Sequence, residues 1–338
     1  MKGNSNLQKI NQQNRKMTTK IAILTKAAVS VDSLERAFAP FLPLIVCSSR
    51  EELKAAASVA DFFVVQNKGF GFRIIDADLL AQAKKLKLVQ HHGVMYDATD
   101  AAAAKSLGIP VAVTPGSNSI SVAEIAWHIL MCVAKRLGPM QKSVADGVMG
   151  RVLGTELAQK TVCIVGIGNI GKAIARMAKG FDMRVIGVRQ SAVLDDESRA
   201  AGISAVFEVS RLKEAVAESD FVVLALPLND ATYNLMNTVE FAAMKPGAML
   251  INVSRGNHVK RTALEEALKS GHLGGYGTDV WWTEPADPRD PLLQDPLVYV
   301  TPHIGGETRE AIDRMSVAAR ENVDRILQGK PVQDVVNG

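Results

Sequence analysis

The sequence predicts an α/β protein made of two doubly wound parallel-sheet domains with a cleft between them. Three observations carry this. The chain has 338 residues, 47% of them hydrophobic and 22% charged, which excludes disorder, collagen and coiled coil and exceeds the size at which one hydrophobic core keeps growing. From Lys20 onward, short β-branched runs alternate with amphipathic stretches, the pattern of parallel strands joined by covering helices. The alternation breaks at Thr114-Pro115-Gly116-Ser117 and a second series opens at Thr161.

Before the first strand lies a leader, residues 1–19, rich in Asn and Gln. With Lys20 it holds five of the 39 basic side chains and none of the 35 acids. The remaining 318 residues therefore carry a formal charge of −1, and no basic face for nucleic acid remains. The leader lacks the apolar stretch of a signal peptide, and no run of 18 apolar residues follows, so no membrane segment is expected. We read it as disordered, upstream of a start at Met17, with a basic targeting tail as the alternative. Cys47, Cys132 and Cys163 are odd in number, widely spaced and set among apolar neighbours. Neither a disulfide framework nor a metal site is expected, and a reducing, cytoplasmic location fits best.

The first series reads strand Ile21–Leu24, helix Val31–Phe38, strand Leu44–Cys47, helix Glu51–Ala57, strand Phe62–Gln66, helix Ala77–Lys85 and strand Leu88–Gln90, closed by strand Val111–Val113. Phe62-Phe63-Val64-Val65 is continuously apolar, as a strand covered on both faces must be. A helix capped by serine runs from Ser119 to Arg136, with an apolar surface too wide for one core face. Packing between the lobes or against a second subunit would bury it. Residues 138–160 are Gly-rich and weakly patterned.

The second series starts with a buried-strand run, Thr161–Val165, followed at once by Gly166-Ile167-Gly168-Asn169-Ile170-Gly171 and a helical stretch to Gly180. This is the glycine fingerprint of a Rossmann dinucleotide-binding domain in its required strand–turn–helix setting. The first glycine permits the turn, the second admits the pyrophosphate, and the third lets helix and strand pack closely. Phosphate charge is then met by free N–H groups at a helix N-terminus. Such folds commonly place an acid about 20 residues on for the adenosine ribose. Here the strand Arg184–Val188 leads instead to Arg189, Gln190 and Ser191. A guanidinium with neighbouring amide and hydroxyl donors suits the 2′-phosphate of NADP. The expectation is NADP preference through Arg189, with NAD use beside a solvated arginine as the alternative.

Three later segments each follow a strand-like run: Asn252-Val253-Ser254-Arg255-Gly256, Asp279-Val280-Trp281-Trp282-Thr283-Glu284-Pro285 and Thr301-Pro302-His303-Ile304-Gly305-Gly306. Their side chains emerge at strand carboxyl ends, where open α/β sheets bind ligands. One basic, one acidic and one imidazole group are what hydride exchange at a 2-keto acid needs: a cation to fix the carboxylate and polarise the carbonyl, and an acid to protonate the oxygen.

The chain resembles the D-isomer-specific 2-hydroxyacid dehydrogenases from about Ala22 to Val336. The resemblance is carried by His92-Gly93-Val94-Met95-Tyr96-Asp97, Gly108–Gly116, Ser121-Val122-Ala123-Glu124, the glycine loop, Pro227-Leu228 with Thr232, and the three segments above. It implies that Arg255 binds the substrate carboxylate and carbonyl, that His303 is the acid/base, and that Glu284 orients it, since a carboxylate beside an imidazole favours the imidazolium. It also implies that Pro227, Thr232 and Asp279 line the coenzyme, with Asp279 at the nicotinamide carboxamide, and that the backbone at Val94 and Met95 takes the substrate carboxylate. The implied organisation is a flavodoxin-like substrate domain from residues 20–117 and 304–338 and a dinucleotide-binding domain at 118–303, assembled as a homodimer.

The expected activity is hydride transfer between NADP(H) and a small 2-keto acid or D-2-hydroxy acid, run toward reduction. Two alternatives come from the same resemblance: a dinucleotide-sensing corepressor-like scaffold, and hydride transfer on an imine or phosphite. Glutamine replaces Glu284 in formate-oxidising relatives, which argues against formate. Met95 stands where the family commonly has glycine. The loop Asn67–Phe72 also departs from the usual pattern; Lys68 could receive a second anionic group and Phe70 and Phe72 an apolar substituent, or the loop is plain surface. Trp281 and Trp282 either wall the pocket or pack in the core. His91, His92, His128, His258 and His272 are read as structural or surface groups.

Overall fold

The computed structural model describes residues 18–26, 28–66 and 73–338. Most of the leader and the loop containing Lys68, Phe70 and Phe72 lie outside the described residues. The chain divides into two compact units, one formed by residues up to Asn118 together with Glu307–Gly338, the other by Ser119–Gly306. No helix among the described residues is long and apolar enough to cross a membrane.

In the first unit, β1 (Ile21–Leu24), β2 (Ile45–Cys47), β3 (Phe62–Val65), β4 (Leu88–His91) and β5 (Val111–Ala112) form a parallel sheet in the order β2-β1-β3-β4-β5. This is the flavodoxin-like order. Every residue of β1, β3 and β4 is buried, which accounts for the unbroken apolar runs of β1 and β3; β4 ends in Gln90 and His91, whose side chains find partners in Asn322 and Thr99. Leu53, Leu79 and Leu80 cover one face. The other receives Leu34 and Phe38 together with Ala319 and Val323 of the helix Arg309–Leu327. Asn322 Nδ2 of that helix donates to Gln90 Oε1 at 2.8 Å, and Ser33 Oγ donates to Asp313 Oδ1 at 2.6 Å.

In the second unit, β6 (Thr161–Val165), β7 (Arg184–Arg189), β8 (Ile203–Glu208), β9 (Phe221–Leu224), β10 (Met249–Asn252), β11 (Gly275–Thr278) and β12 (Val298–Val300) form a parallel sheet in the order β12-β11-β10-β9-β6-β7-β8. The chain progresses outward from β6 first on one side and then on the other, the Rossmann arrangement with a further strand at the edge. The switch point therefore falls at the carboxyl end of β6, where the glycine loop begins.

The long helix spans Ser119–Ala134, and its several buried faces are satisfied within this same unit. Trp127 Nε1 donates to the Ile174 carbonyl at 3.2 Å, and the Trp127 ring stacks on Phe181 at 4.7 Å. On the sheet side the helix lies against glycines: a Cβ on Gly277 would come within 2.3 Å of Ile129 Cγ2, and one on Gly275 within 2.5 Å of Val133 Cγ1. Much of the apolar surface of this helix is thus covered by its own unit, whereas Ile120 stays exposed. A second difference is the helix Leu137–Ala145, formed inside the stretch read as weakly patterned. Pro139 sits in its first turn, where a missing N–H costs nothing, and none of its residues is buried, so it has no apolar periodicity to detect.

The third glycine of the loop shows why the fingerprint is strict. A Cβ at Gly171 would lie 2.1 Å from the Gly166 carbonyl oxygen, a backbone atom that cannot swing aside. Gly171→Ala is therefore expected to destabilise the protein by about 1–3 kcal/mol through overpacking. Thermal unfolding measures this, and a melting temperature equal to the parent's would refute the close packing.

Candidate active site

The sheet of the second unit delivers its functional side chains at strand carboxyl ends. β10 leads into Arg255, β11 into Asp279 and Glu284, and β12 into His303. His303 Nδ1 and Glu284 Oε2 are 2.6 Å apart, with the two side chains 29% and 33% exposed, so the pair is partly shielded yet reachable. Glu284 Oε1 accepts the Trp281 N–H at 3.0 Å. Burial alone would raise the Glu284 carboxyl. The hydrogen bond and charge of His303, the Trp281 N–H and the Arg255 guanidinium together hold it below its ordinary value. Arg255 is half-buried, and its Nη1 donates to the Ser254 carbonyl at 2.9 Å. The structure thus brings Arg255, Glu284 and His303 into one electrostatic neighbourhood. Such a set can bind an anion and move a proton.

Asp279 holds this arrangement from beneath. It is buried, and its Oδ1 accepts from Thr301 Oγ1 at 2.6 Å and Ile304 N at 2.9 Å, while Oδ2 accepts from Gly305 N at 2.7 Å. These bonds flank His303, whose φ of 55° is left-handed and costs a non-glycine residue roughly 1–2 kcal/mol. A Cβ at Gly305 would stand 2.8 Å from Asp279 Oδ2, so glycine is what lets the backbone come down onto the carboxylate.

The loops carrying Arg255 and Glu284 are also fastened together. A Cβ on Gly256 would lie 2.4 Å from the Trp281 carbonyl carbon, so the two turns touch backbone to backbone. Trp282 Nε1 donates to the Val259 carbonyl at 2.7 Å, and Trp281 Nε1 to Asp290 Oδ2 at 3.1 Å. Asp290 in turn receives both guanidinium nitrogens of Arg261 at 2.6 and 2.7 Å. Trp281 belongs to the core cluster, half-buried Trp282 packs against it, and both brace the loops. The sequence offered no signal for Arg261 and Asp290, whose pairing spans 29 positions. Asn252 was within reach of sequence reasoning: Asn-x-Ser after a strand suggests an Asx turn, and Asn252 Oδ1 accepts from Ser254 N at 3.0 Å.

The glycine loop fits a dinucleotide. The helix Asn169–Ala178 starts after Gly168 with no side-chain cap, leaving its first N–H groups for an anion, and the space a Gly168 Cβ would enter is open. Gly168 and Asn169 are exposed, Ile170 half-buried and Gly171 buried. Thr232 Oγ1 donates to the Pro227 carbonyl at 2.9 Å and closes the loop after β9. Arg189 is half-buried at the end of β7, followed by exposed Gln190 and Ser191. Its guanidinium is already engaged: Nη1 with Asp195 Oδ2 at 2.9 Å, Nε with the Ser191 carbonyl at 3.2 Å, and Nη2 with the Val193 carbonyl. The Ser198 N–H and hydroxyl, with Arg189, hold the Asp195 carboxyl down to about 2.

Val94 and Met95 belong to the first unit, both half-buried. Their turn is fixed by Thr114, whose N donates to the Gly93 carbonyl at 2.8 Å and whose Oγ1 accepts from Gly93 N at 3.0 Å. Lys68 lies outside the described residues.

A Rossmann sheet with an uncapped glycine-loop helix and an imidazole–carboxylate pair beside an arginine defines the class: an oxidoreductase using a nicotinamide dinucleotide. The profile described as D-isomer specific 2-hydroxyacid dehydrogenase, NAD binding domain, matches residues 127–305. A protein named glyoxylate reductase from Korarchaeum cryptofilum (strain OPF8) is 36% identical over 269 residues, covering 78% of this chain and 80% of the relative. A protein named D-3-phosphoglycerate dehydrogenase from Mycobacterium leprae (strain TN) is 35% identical over 290 residues, 85% of this chain and 53% of the relative, so this chain spans about half its length. The crystal structure of a glyoxylate reductase from Paecilomyes thermophila is similar with a TM-score of 0.82 at 26% identity, over 95% of this chain and 99% of that one. The chain belongs to the D-isomer-specific 2-hydroxyacid dehydrogenase family.

Asp279→Asn keeps the shape of the carboxylate but turns one acceptor into a donor facing the Gly305 or Thr301 side. One buried N–H or O–H then loses its partner, at about 1–3 kcal/mol. A lower melting temperature is expected; full thermal stability would show that these bonds do not hold the His303 segment.

Proposed function

We propose that the protein is a 2-keto acid reductase, transferring hydride from NADP(H) to a small 2-keto acid to give the D-2-hydroxy acid. The observation that carries this reading is the 2.6 Å contact between His303 Nδ1 and Glu284 Oε2, at the same sheet edge as Arg255 and the glycine loop. With Nδ1 on the carboxylate, Nε2 is the imidazole atom that delivers the proton in this reading. The Arg255 guanidinium binds the substrate carboxylate and polarises its carbonyl. The dinucleotide, when bound, supplies the hydride. His303 Nε2 gives its proton to the carbonyl oxygen as negative charge develops there, and Glu284 stabilises the imidazolium beforehand. Pro227, Thr232 and Asp279 line the coenzyme; Asp279 does so while also holding the His303 segment.

The coenzyme preference rests on Arg189, which stands where a ribose-binding carboxylate would repel a 2′-phosphate. Three of the five guanidinium N–H groups are engaged within its own loop, which fixes its position and leaves two for phosphate oxygens. The names of the relatives favour glyoxylate and other small keto acids as the first substrates to assay. The reading includes a homodimer, supported by the exposed apolar side chains Val144, Met149 and Leu153, and a cytoplasmic location, supported by three free, buried cysteines.

Oxidation of NADPH and NADH across a panel of 2-keto acids tests the reading, with NADPH favoured by the parent and NADH by Arg189→Asp. Equal use of both coenzymes by the parent would sink the NADP assignment, and no turnover on any keto acid would sink the activity.

A pH profile and one substitution test the acid. Because the Glu284 carboxyl is held below its ordinary 4.5, the carboxylate that faces His303 is present above that value and is lost only as pH falls through the lowered one. Reduction should therefore keep its plateau at pH 5, and His303→Ala should lower kcat by about 100-fold or more with smaller effect on KM. Near-parental turnover in that variant would remove His303 from the chemistry.

A further inference from the structure

We infer that His258 is a positioning residue for this reaction: its imidazole fastens the coenzyme-side loop at Pro227 to the turn that carries Arg255. The kinetic consequence rests on the hydride-transfer reading, whereas the structural link does not.

His258 has no solvent exposure and ends the short turn Gly256–His258, directly after Arg255. Its Nε2 is 3.3 Å from the Pro227 carbonyl oxygen, and its Nδ1 is 3.1 Å from both Ser254 Oγ and the Arg255 carbonyl oxygen. A carbonyl only accepts, so the contact with Pro227 requires the proton on Nε2. The Arg255 carbonyl is already served by Asn252 Nδ2 at 2.8 Å and by the His258 N–H at 3.2 Å. Nδ1 is then available to accept from the Ser254 hydroxyl, which lies between it and Asn252 Oδ1 at 2.9 Å. The hydroxyl has one proton; turned to Nδ1, it leaves Asn252 Oδ1 to the Ser254 N–H at 3.0 Å, and the neutral tautomer protonated on Nε2 then leaves each of these groups a partner. Burial pulls the imidazole below its ordinary value and the charge of Arg255 adds to that, against the two carbonyl bonds, so the neutral form is the one kept.

The rest of the loop after β9 is secured by main chain. Asn234 N donates to the Asn257 carbonyl at 2.8 Å, Met236 N to the His258 carbonyl at 2.9 Å, and Lys260 N to the Met236 carbonyl at 2.8 Å. These bonds fix its far end. Its near end, Pro227, is linked to the Arg255 turn by the His258 side chain, across 31 positions of sequence. Losing the imidazole would leave the far pairing and the Thr232–Pro227 bond within the loop intact and cut the side-chain tie between its near end and the Arg255 turn. The residue thereby sets how the coenzyme loop and the substrate arginine are placed with respect to each other.

Two substitutions separate this from mere core filling. His258→Leu keeps an apolar volume without an N–H; His258→Gln keeps an N–H at about the reach of Nε2. Direct fluorescence titration with NADPH and with NADH is expected to show binding weakened roughly three- to tenfold in the Leu variant, the worth of one lost hydrogen bond. Most of that is recovered in the Gln variant. The KM for the preferred keto acid should rise in parallel, with kcat changed less. Should the Leu protein fail to fold, His258→Asn, whose N–H reaches the Nδ1 position but not Pro227, replaces it with the same expected loss. Equal weakening by Leu and Gln, or lowered melting temperatures with parental dissociation constants and KM, would overturn the inference. A parent that binds coenzyme but reduces no keto acid defeats the hydride-transfer reading alone, because the binding titration still reports on His258.

Discussion

A buried carboxylate must find donors, and Asp279 finds them in the backbone and side chain of the segment that bears His303. That requirement fixes the course of residues 301–305 and keeps His303 in a left-handed conformation it would otherwise leave. With the backbone set, the ring has little choice of position, and its Nδ1 falls on Glu284. Glu284 is in turn placed by the Trp281 N–H, and Trp281 by Asp290. The chemistry at the top of the sheet therefore descends from one desolvated charge beneath it.

Much of the fold could be read from the chain. Strands such as Phe62–Val65 and Thr161–Val165 are legible because burial on both faces demands an unbroken apolar run. Arg255, Glu284 and His303 are legible because each follows such a run, and strand carboxyl ends are where this architecture puts its reactive groups. The return of the C-terminal helix to the first unit was implied by resemblance and not by any periodicity. The helix Leu137–Ala145 escaped because it buries nothing and so leaves no pattern.

What stayed illegible shares a physical cause. His258, Trp282 and Arg261 act through partners 31, 23 and 29 positions away, and two of those partners are main-chain carbonyls that carry no sequence identity. Arg189 was legible as a donor but not as half of an ion pair, because Asp195 reads as an ordinary helix cap. It performs both tasks at once, capping the helix Asp196–Ala201 and gripping the guanidinium.

The glycines under the long helix Ser119–Ala134 have a mechanical consequence. With Ile129 and Val133 occupying the space that side chains on β11 would take, helix and strand are keyed like a bolt in a slot and resist sliding. The same helix presses Val122 and Ile125 against Gly305, within about one methyl group of Asp279. Any force that shifts this helix along its axis is consequently delivered to Gly305 and the Asp279 carboxylate beneath the His303 segment, with no compliant layer in between to absorb it.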